Sequence, residues 1–315
     1  MLEDFIFSAN AVLPIFLVIA VGYLLRRSSF LSTSTVAEMN RLVFTFALPI
    51  LLFRNIFDED FDYLFNPSLI IWVVGSTFAC FVLLWLFAEI FLRKKPDLIS
   101  SFVQGSFRAN YAIVGLPLVA NILGDRDTGM AALAAAFIVT SYNVLSVIVL
   151  TAKDPNTSLN IKNIILGVCK NPSIIGIATG VAVNLLNIPI PGIARESINY
   201  IAALCTPMAL LAVGGSINIL EIKQFLRPAI VAAAMKIVIA PLIFVTISIW
   251  LGFRGEELVV LFVMLANPTA IISYVMAARM NGNAVFTSAI ILITTAFSSV
   301  TLTVGVYVLR VLGVI

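Results

Sequence analysis

The amino-acid sequence predicts an all-α polytopic membrane protein. Ten transmembrane helices are expected, arranged as two inverted five-helix repeats with an interrupted helix fourth in each. Three observations predict this: a composition too apolar for water, connections whose charge alternates along the chain, and punctuating residues that recur at a fixed spacing between the halves.

Of the 315 residues, 61% are hydrophobic and 11% charged, where a soluble chain carries about a quarter charged. Histidine is absent, and Cys80, Cys169 and Cys205 lie in or beside apolar segments without paired spacing. Neither a disulfide framework nor a metal site is expected. Without histidine the HExxH and Ser–His arrangements drop out, and no pair of membrane aspartates suits an aspartyl mechanism, so the chain is not expected to be an enzyme. No GxxxxGK[ST] sequence occurs, no cofactor is called for, and no basic cluster with interleaved aromatics points to nucleic acid. The N-terminus MLEDFIFSAN lacks the basic start of a signal peptide, so the first apolar run is read as a mature helix.

About 20 apolar residues cross a bilayer as a helix. Windows of that kind run near 8–27, 34–54, 67–93, 99–123, 128–151, 171–188, 193–218, 224–252, 256–280 and 284–312. Ile161–Lys170 is too short and basic to span, and reads as an interfacial helix entering the sixth span. Eleven Lys and Arg residues follow the odd-numbered spans: Arg26, Arg27, Arg93, Lys94, Lys95, Lys153, Lys162, Lys170, Lys223, Arg227 and Arg279. Five lie on the other side: Arg54, Arg126, Arg195, Arg254 and Arg310. The positive-inside rule then predicts a multi-pass protein of the plasma or inner membrane with both termini extracytoplasmic.

The halves share landmarks. Pro14 and Pro172, Gly22 and Gly180, Glu38 and Glu196, and Pro49 and Pro207 are each separated by 158 positions. Each half holds five spans, so the second enters the membrane from the opposite side. The repeats are residues 1–152 and 171–315, joined by a cytoplasmic linker, 153–170.

The fourth span of each half carries a proline in mid-membrane. Pro117 in the GLP of Gly115–Pro117 has no N–H, and its ring crowds the carbonyl of Ile113; Pro268, preceded by Asn267, would free that of Met264. Interrupted helices at equivalent places mark a substrate site, because half-helix N-termini are electropositive. Two of them would favour an anion, with Asn110, Asn267 and Thr269 adding directional hydrogen bonds. Arg108 is expected to snorkel to the cytoplasmic surface. Lys236 lies in mid-span with no local carboxylate, so its partner comes from another helix or water, and a coupling role stands beside burial near a freed carbonyl. Gly176 and Gly180 form a GxxxG for close helix packing.

The runs MNRLVFTFALPILLF (39–53), NYAIVGLPL (110–118), MALLAVGGSI (208–217) and NPTAIISYVMA (267–277) resemble the auxin efflux carrier family over essentially the whole chain. The resemblance implies a fold similar to bile-acid/sodium symporters and sodium/proton antiporters, with helices 4 and 9 crossing at Pro117 and Pro268. It implies a scaffold of helices 1, 2, 6 and 7, often forming a homodimer, and a transport domain of helices 3–5 and 8–10 that moves as an elevator. Asn110 matches the family's carboxylate-contacting asparagine, and Leu48 and Leu52 fall where the scaffold lines the pocket. Plant relatives carry a small polar residue at the position of Leu52 and a glutamine at that of Thr269, and many have a long central loop that is missing here. The function implied is secondary transport of a small organic anion across the lipid bilayer. Indole-type carboxylates and malate-type dicarboxylates both fit, and an anion channel or membrane receptor of the same fold is the alternative.

Overall fold

A computed structural model describes residues 2–57, 65–124, 128–152, 169–216, 223–280 and 282–315. Most of the expected interfacial helix, and the linker before it, lie outside these residues. The described chain is helical throughout, apart from one isolated antiparallel bridge.

Among the described residues, seven helices are long and apolar enough to cross a membrane. They are α1 (Leu2–Arg27), α2 (Thr33–Phe57), α3 (Pro67–Phe91), α6 (Gly129–Ala152), α8 (Gly192–Gly215), α9 (Leu226–Trp250) and α12 (Ala284–Val311). Between them lie shorter elements: α4 (Ile99–Phe107), α5 (Tyr111–Leu123), α7 (Pro172–Leu185), α10 (Gly255–Ala266) and α11 (Ile272–Arg279). The windows expected at 99–123 and 256–280 thus appear as two head-to-tail pairs, α4–α5 and α10–α11. Local chemistry sets several starts. The side chains of Ser32, Asn66, Asn171 and Asn283 accept the orphan N–H of Thr35, Leu69, Ser173 and Phe286, and Pro67 and Pro172 occupy first-turn positions where no donor is needed.

Three prolines inside spans are absorbed by widened turns, whereas Pro14 in α1 and Pro207 in α8 lie within continuous α-helix. In α2, α5 and α9 a five-residue π turn (Val43–Ala47, Tyr111–Gly115, Met235–Ile239) precedes Leu48-Pro49, Leu116-Pro117 and Ala240-Pro241. In each, the residue before the proline donates its N–H five residues back, to Val43, Tyr111 or Met235. The wider turn makes room for the ring without opening the helix.

Two tight helix pairs flank the crossing segments. A Cβ on Gly22 would strike the Leu211 backbone, and one on Gly214 would strike that of Ile19 and Tyr23, so α1 and α8 touch main chain to main chain. Gly176 is likewise pressed on Pro49, and Gly180 on Phe53 and Ile56, which brings α7 against α2 as the GxxxG anticipates. Gly214→Ala is therefore expected to lower the thermal midpoint in detergent, an overpacking cost of about 1–3 kcal/mol. Gly75→Ala in α3, where a new methyl meets nothing within 4 Å, should leave it unchanged or raise it. Equal midpoints for the two variants would contradict the close α1–α8 approach.

Candidate functional site

The interruptions fall at Arg108–Asn110 and at Asn267–Ile271. α4 ends at Phe107, and Arg108 turns to extended backbone, φ −81° and ψ 110°. α10 ends at Ala266, and Asn267 is extended, φ −62° and ψ 150°, as a residue before proline prefers. The two open stretches lie side by side. Asn110 N–H donates to Pro268 O at 2.8 Å and Ala270 N–H to Arg108 O at 3.2 Å, with Ala109 facing Thr269 across a one-pair antiparallel bridge. Backbone groups that lipid could not satisfy are thereby paired with each other.

This corrects the expected position of the first break. Pro117 lies within α5 beyond its π turn, not in the gap, and it is Pro268 alone that sits in an open segment. Gly115 serves the crossing differently from a hinge: a Cβ there would stand 2.5 Å from Asn267 Nδ2 and 3.0 Å from Tyr111 Cδ2. Only glycine lets the Asn267 amide lie against α5.

The freed carbonyls find donors. Tyr142 Oη on α6 donates to Met264 O at 3.1 Å. Lys236 Nζ on α9 donates to Leu265 O at 2.8 Å and to Phe107 O at 3.4 Å. The lysine's partners are thus main-chain ends of both interrupted helices. Thr269 is also committed: its hydroxyl donates to Gly105 O at 2.6 Å and its N–H to Thr294 Oγ1 at 3.1 Å, so it braces the crossing and has no hydroxyl proton left for an anion.

Arg108 does not snorkel. Its side chain is buried and held by neutral groups, with Nη2 donating to Asn143 Oδ1 at 2.7 Å and Nη1 to Ser146 Oγ at 3.1 Å and to the Tyr142 carbonyl at 3.4 Å, while Met276 Sδ lies 3.1 Å away. The acceptors on α6 hold it in the protein interior, out of reach of the surface. Arg108 and Lys236 are the buried cations among the described residues, and no described carboxylate is buried.

Against these satisfied groups stands a set of orphans. Eight buried side-chain N or O atoms among the described residues lack a hydrogen-bond partner, and seven lie in the two open segments or in the helices that adjoin them: both amide atoms of Gln104, Ser106 Oγ, Arg108 Nε, both amide atoms of Asn267, and Ser273 Oγ. Buried polar groups normally pair. Asn267 is 0% exposed and Asn110 6%; the Asn110 side chain makes no hydrogen bond among the described residues. Gln104, Ser106, Ser273 and Tyr142 were not anticipated from the sequence. Gln104 and Arg108, four apart in an apolar segment, were the available signal, since such spacing puts both on one helix face. Leu48 and Leu52 are fully buried on α2. An open groove of about 350 Å³ between α2 and α7, lined by residues such as Thr45, Ile50, Phe53 and Thr179, lies apart from the crossing.

A family profile described as "Membrane transport protein" matches residues 7–306. The chain belongs to this family, that of the auxin efflux carriers. Among family relatives, a protein of Methanothermobacter thermautotrophicus named "Uncharacterized transporter" is 23% identical, over 95% of this chain and 97% of its own. A protein of Rhizobium meliloti named "Putative malonate transporter" is 26% identical, over 95% of each chain. The family places the chain among membrane transporters, with its apolar helices in a lipid bilayer.

Proposed function

We propose that this family member is a secondary carrier of small organic anions, with a carboxylate held where Arg108–Asn110 and Asn267–Ile271 cross. The observation that carries the reading is the imbalance at and beside these segments: the buried Arg108 guanidinium with no buried carboxylate among the described residues, and seven orphaned polar atoms. An anion that accepts from Asn110 and Asn267 would satisfy several at once, and the N-terminal ends of α5 and α11 would add positive potential. Gly115 admits the Asn267 amide, Pro268 keeps its segment open, and Thr269 and Pro117 shape the crossing. Leu48 and Leu52 supply apolar wall from the scaffold side.

Counting α4–α5 and α10–α11 as one span each gives ten spans in two inverted repeats, and contacts between helix ends support that count. Asp4 at the start of α1 meets Arg310 at the end of α12, 3.3 Å apart. Asn66 at the start of α3 reaches Glu257 at the start of α10, and Gly255 N–H donates to Val314 O. These ends share one side, read as extracytoplasmic from the charge bias of the connections. At the other, Asn283 N–H donates to Ser101 Oγ at 2.8 Å. The glycine-welded pairs α1–α8 and α2–α7 make the scaffold, through which a second copy would dimerise. The bundle containing both interruptions makes the mobile transport domain, moving as an elevator.

Exporting a monoanion from a negative interior gains about 2.3 kcal/mol per 100 mV, so efflux needs no coupled ion, whereas uptake does. The relative's name makes a short dicarboxylate the first compound to try, with an indole carboxylate beside it. Proteoliposomes loaded with unlabelled malonate or indole-3-acetate should take up the labelled compound by saturable counterflow. Unitary conductance steps would identify a channel instead, and binding without flux a receptor.

A further inference from the structure

The carboxylate reading leaves Lys236 unexplained, because its ammonium faces carbonyls rather than the orphaned donors. Its side chain is 2% exposed and rises from the π turn Met235–Ile239 of α9. Nζ lies 2.8 Å from Leu265 O and 3.4 Å from Phe107 O. Phe107 is the last residue of α4 and Leu265 the penultimate residue of α10. Terminal carbonyls of a helix have no partner within it, and each such end carries about half a negative elementary charge. Two ends meeting at one point present about one negative charge, which the ammonium matches. No carboxylate pairs with Lys236 among the described residues, so the lysine's counter-charge is the helix ends themselves. In carriers built on interrupted helices, C-terminal ends and unwound carbonyls are where a coupling sodium ion is coordinated.

We propose that Lys236 is a built-in counter-cation, its ammonium standing where a coupling ion would otherwise sit, so that the transport cycle requires no sodium. The proposal rests on the crossing being the transport site. Lys236 is a positioning residue: it holds α4 and α10 end to end beside Asn110 and Asn267 without touching substrate. A fixed charge also travels with the moving bundle in both orientations, so it drives nothing in either direction.

The test uses the full-length protein, in detergent and in proteoliposomes. For the parent, replacing sodium by N-methylglucamine should leave carboxylate flux unchanged. Lys236→Ala should lower the thermal midpoint and slow flux about tenfold or more, the effect of losing charge-assisted hydrogen bonds to two carbonyls. Adding n-propylammonium, which restores the missing stem and charge, should recover part of both, whereas n-propanol should not. Lys236→Arg, which keeps the charge, should retain more flux than Lys236→Met, which keeps only the bulk. Sodium-dependent flux in the parent, an undiminished Lys236→Ala, or rescue by propanol equal to that by propylammonium would each overturn the proposal. The thermal arm needs no substrate, so a parent that moves no carboxylate refutes the carrier reading while the ammonium rescue still decides the role of Lys236.

Discussion

Asn267→Ala is expected to raise the thermal midpoint of the ligand-free protein and, at the same time, to weaken carboxylate binding about tenfold or more. Both amide atoms of Asn267 are buried without partners, and an unmet buried polar group costs about 1–3 kcal/mol. Alanine removes that cost and vacates only a small volume beside Gly115. A residue kept for packing or for an internal hydrogen bond would behave in the opposite way, since its loss lowers stability. Asn110→Ala should show the same loss of carboxylate response with little change in the ligand-free midpoint, because its backbone, not its side chain, ties the two segments together. Thermal unfolding with and without malonate or indole-3-acetate reads both quantities. A lowered midpoint with an intact carboxylate response would assign Asn267 to structure alone.

Arg108 should give the second large effect. Its guanidinium meets the Tyr142 carbonyl, Asn143, Ser146 and Met276 in a fan that links the first break to α6 and α11. Arg108→Gln removes a buried charge that no carboxylate balances, and leaves acceptors on α6 unmet. Flux should fall about tenfold or more, since a hydrogen bond to a charged group is worth about 1.5–3 kcal/mol. Arg108→Lys keeps the charge but cannot span the same acceptors with one ammonium, so it should recover little. Flux in proteoliposomes, normalised to folded protein by gel filtration, checks this. Substantial activity in Arg108→Gln would show that the positive charge at the break is dispensable.

Much of this was legible from residue order because it depends on local chemistry. The Asn267-Pro268 dipeptide stops a helix by its own backbone rules, and α10 does end there. Gly176 and Gly180 announce a close helix contact, and they make one. Pro117 misled for an instructive reason. The same missing N–H that breaks one helix is absorbed in another by a π turn, and the choice is made by what packs alongside. At Tyr111–Gly115, Asn267 fills the space over Gly115 and the ends of Arg108–Asn110 are already paired with Pro268 and Ala270, so the gap opens seven residues earlier. Arg108 and Lys236 could be recognised as charges within spans, but their partners are carbonyls and amides on distant helices. No spacing rule reaches those. The orphaned state of Gln104, Ser106 and Ser273 is likewise a property of the assembled bundle.

The central claim is that an anion is bound by the orphaned groups at the crossing. A crystal structure with bromomalonate, whose bromine is located by anomalous scattering, tests it most directly. The account predicts a bromine peak beside the Arg108–Asn110 and Asn267–Ile271 segments, with carboxylate oxygens within hydrogen-bond distance of the Asn110 and Asn267 amides. A peak confined to the groove between α2 and α7, with those amides still unpartnered, would contradict it.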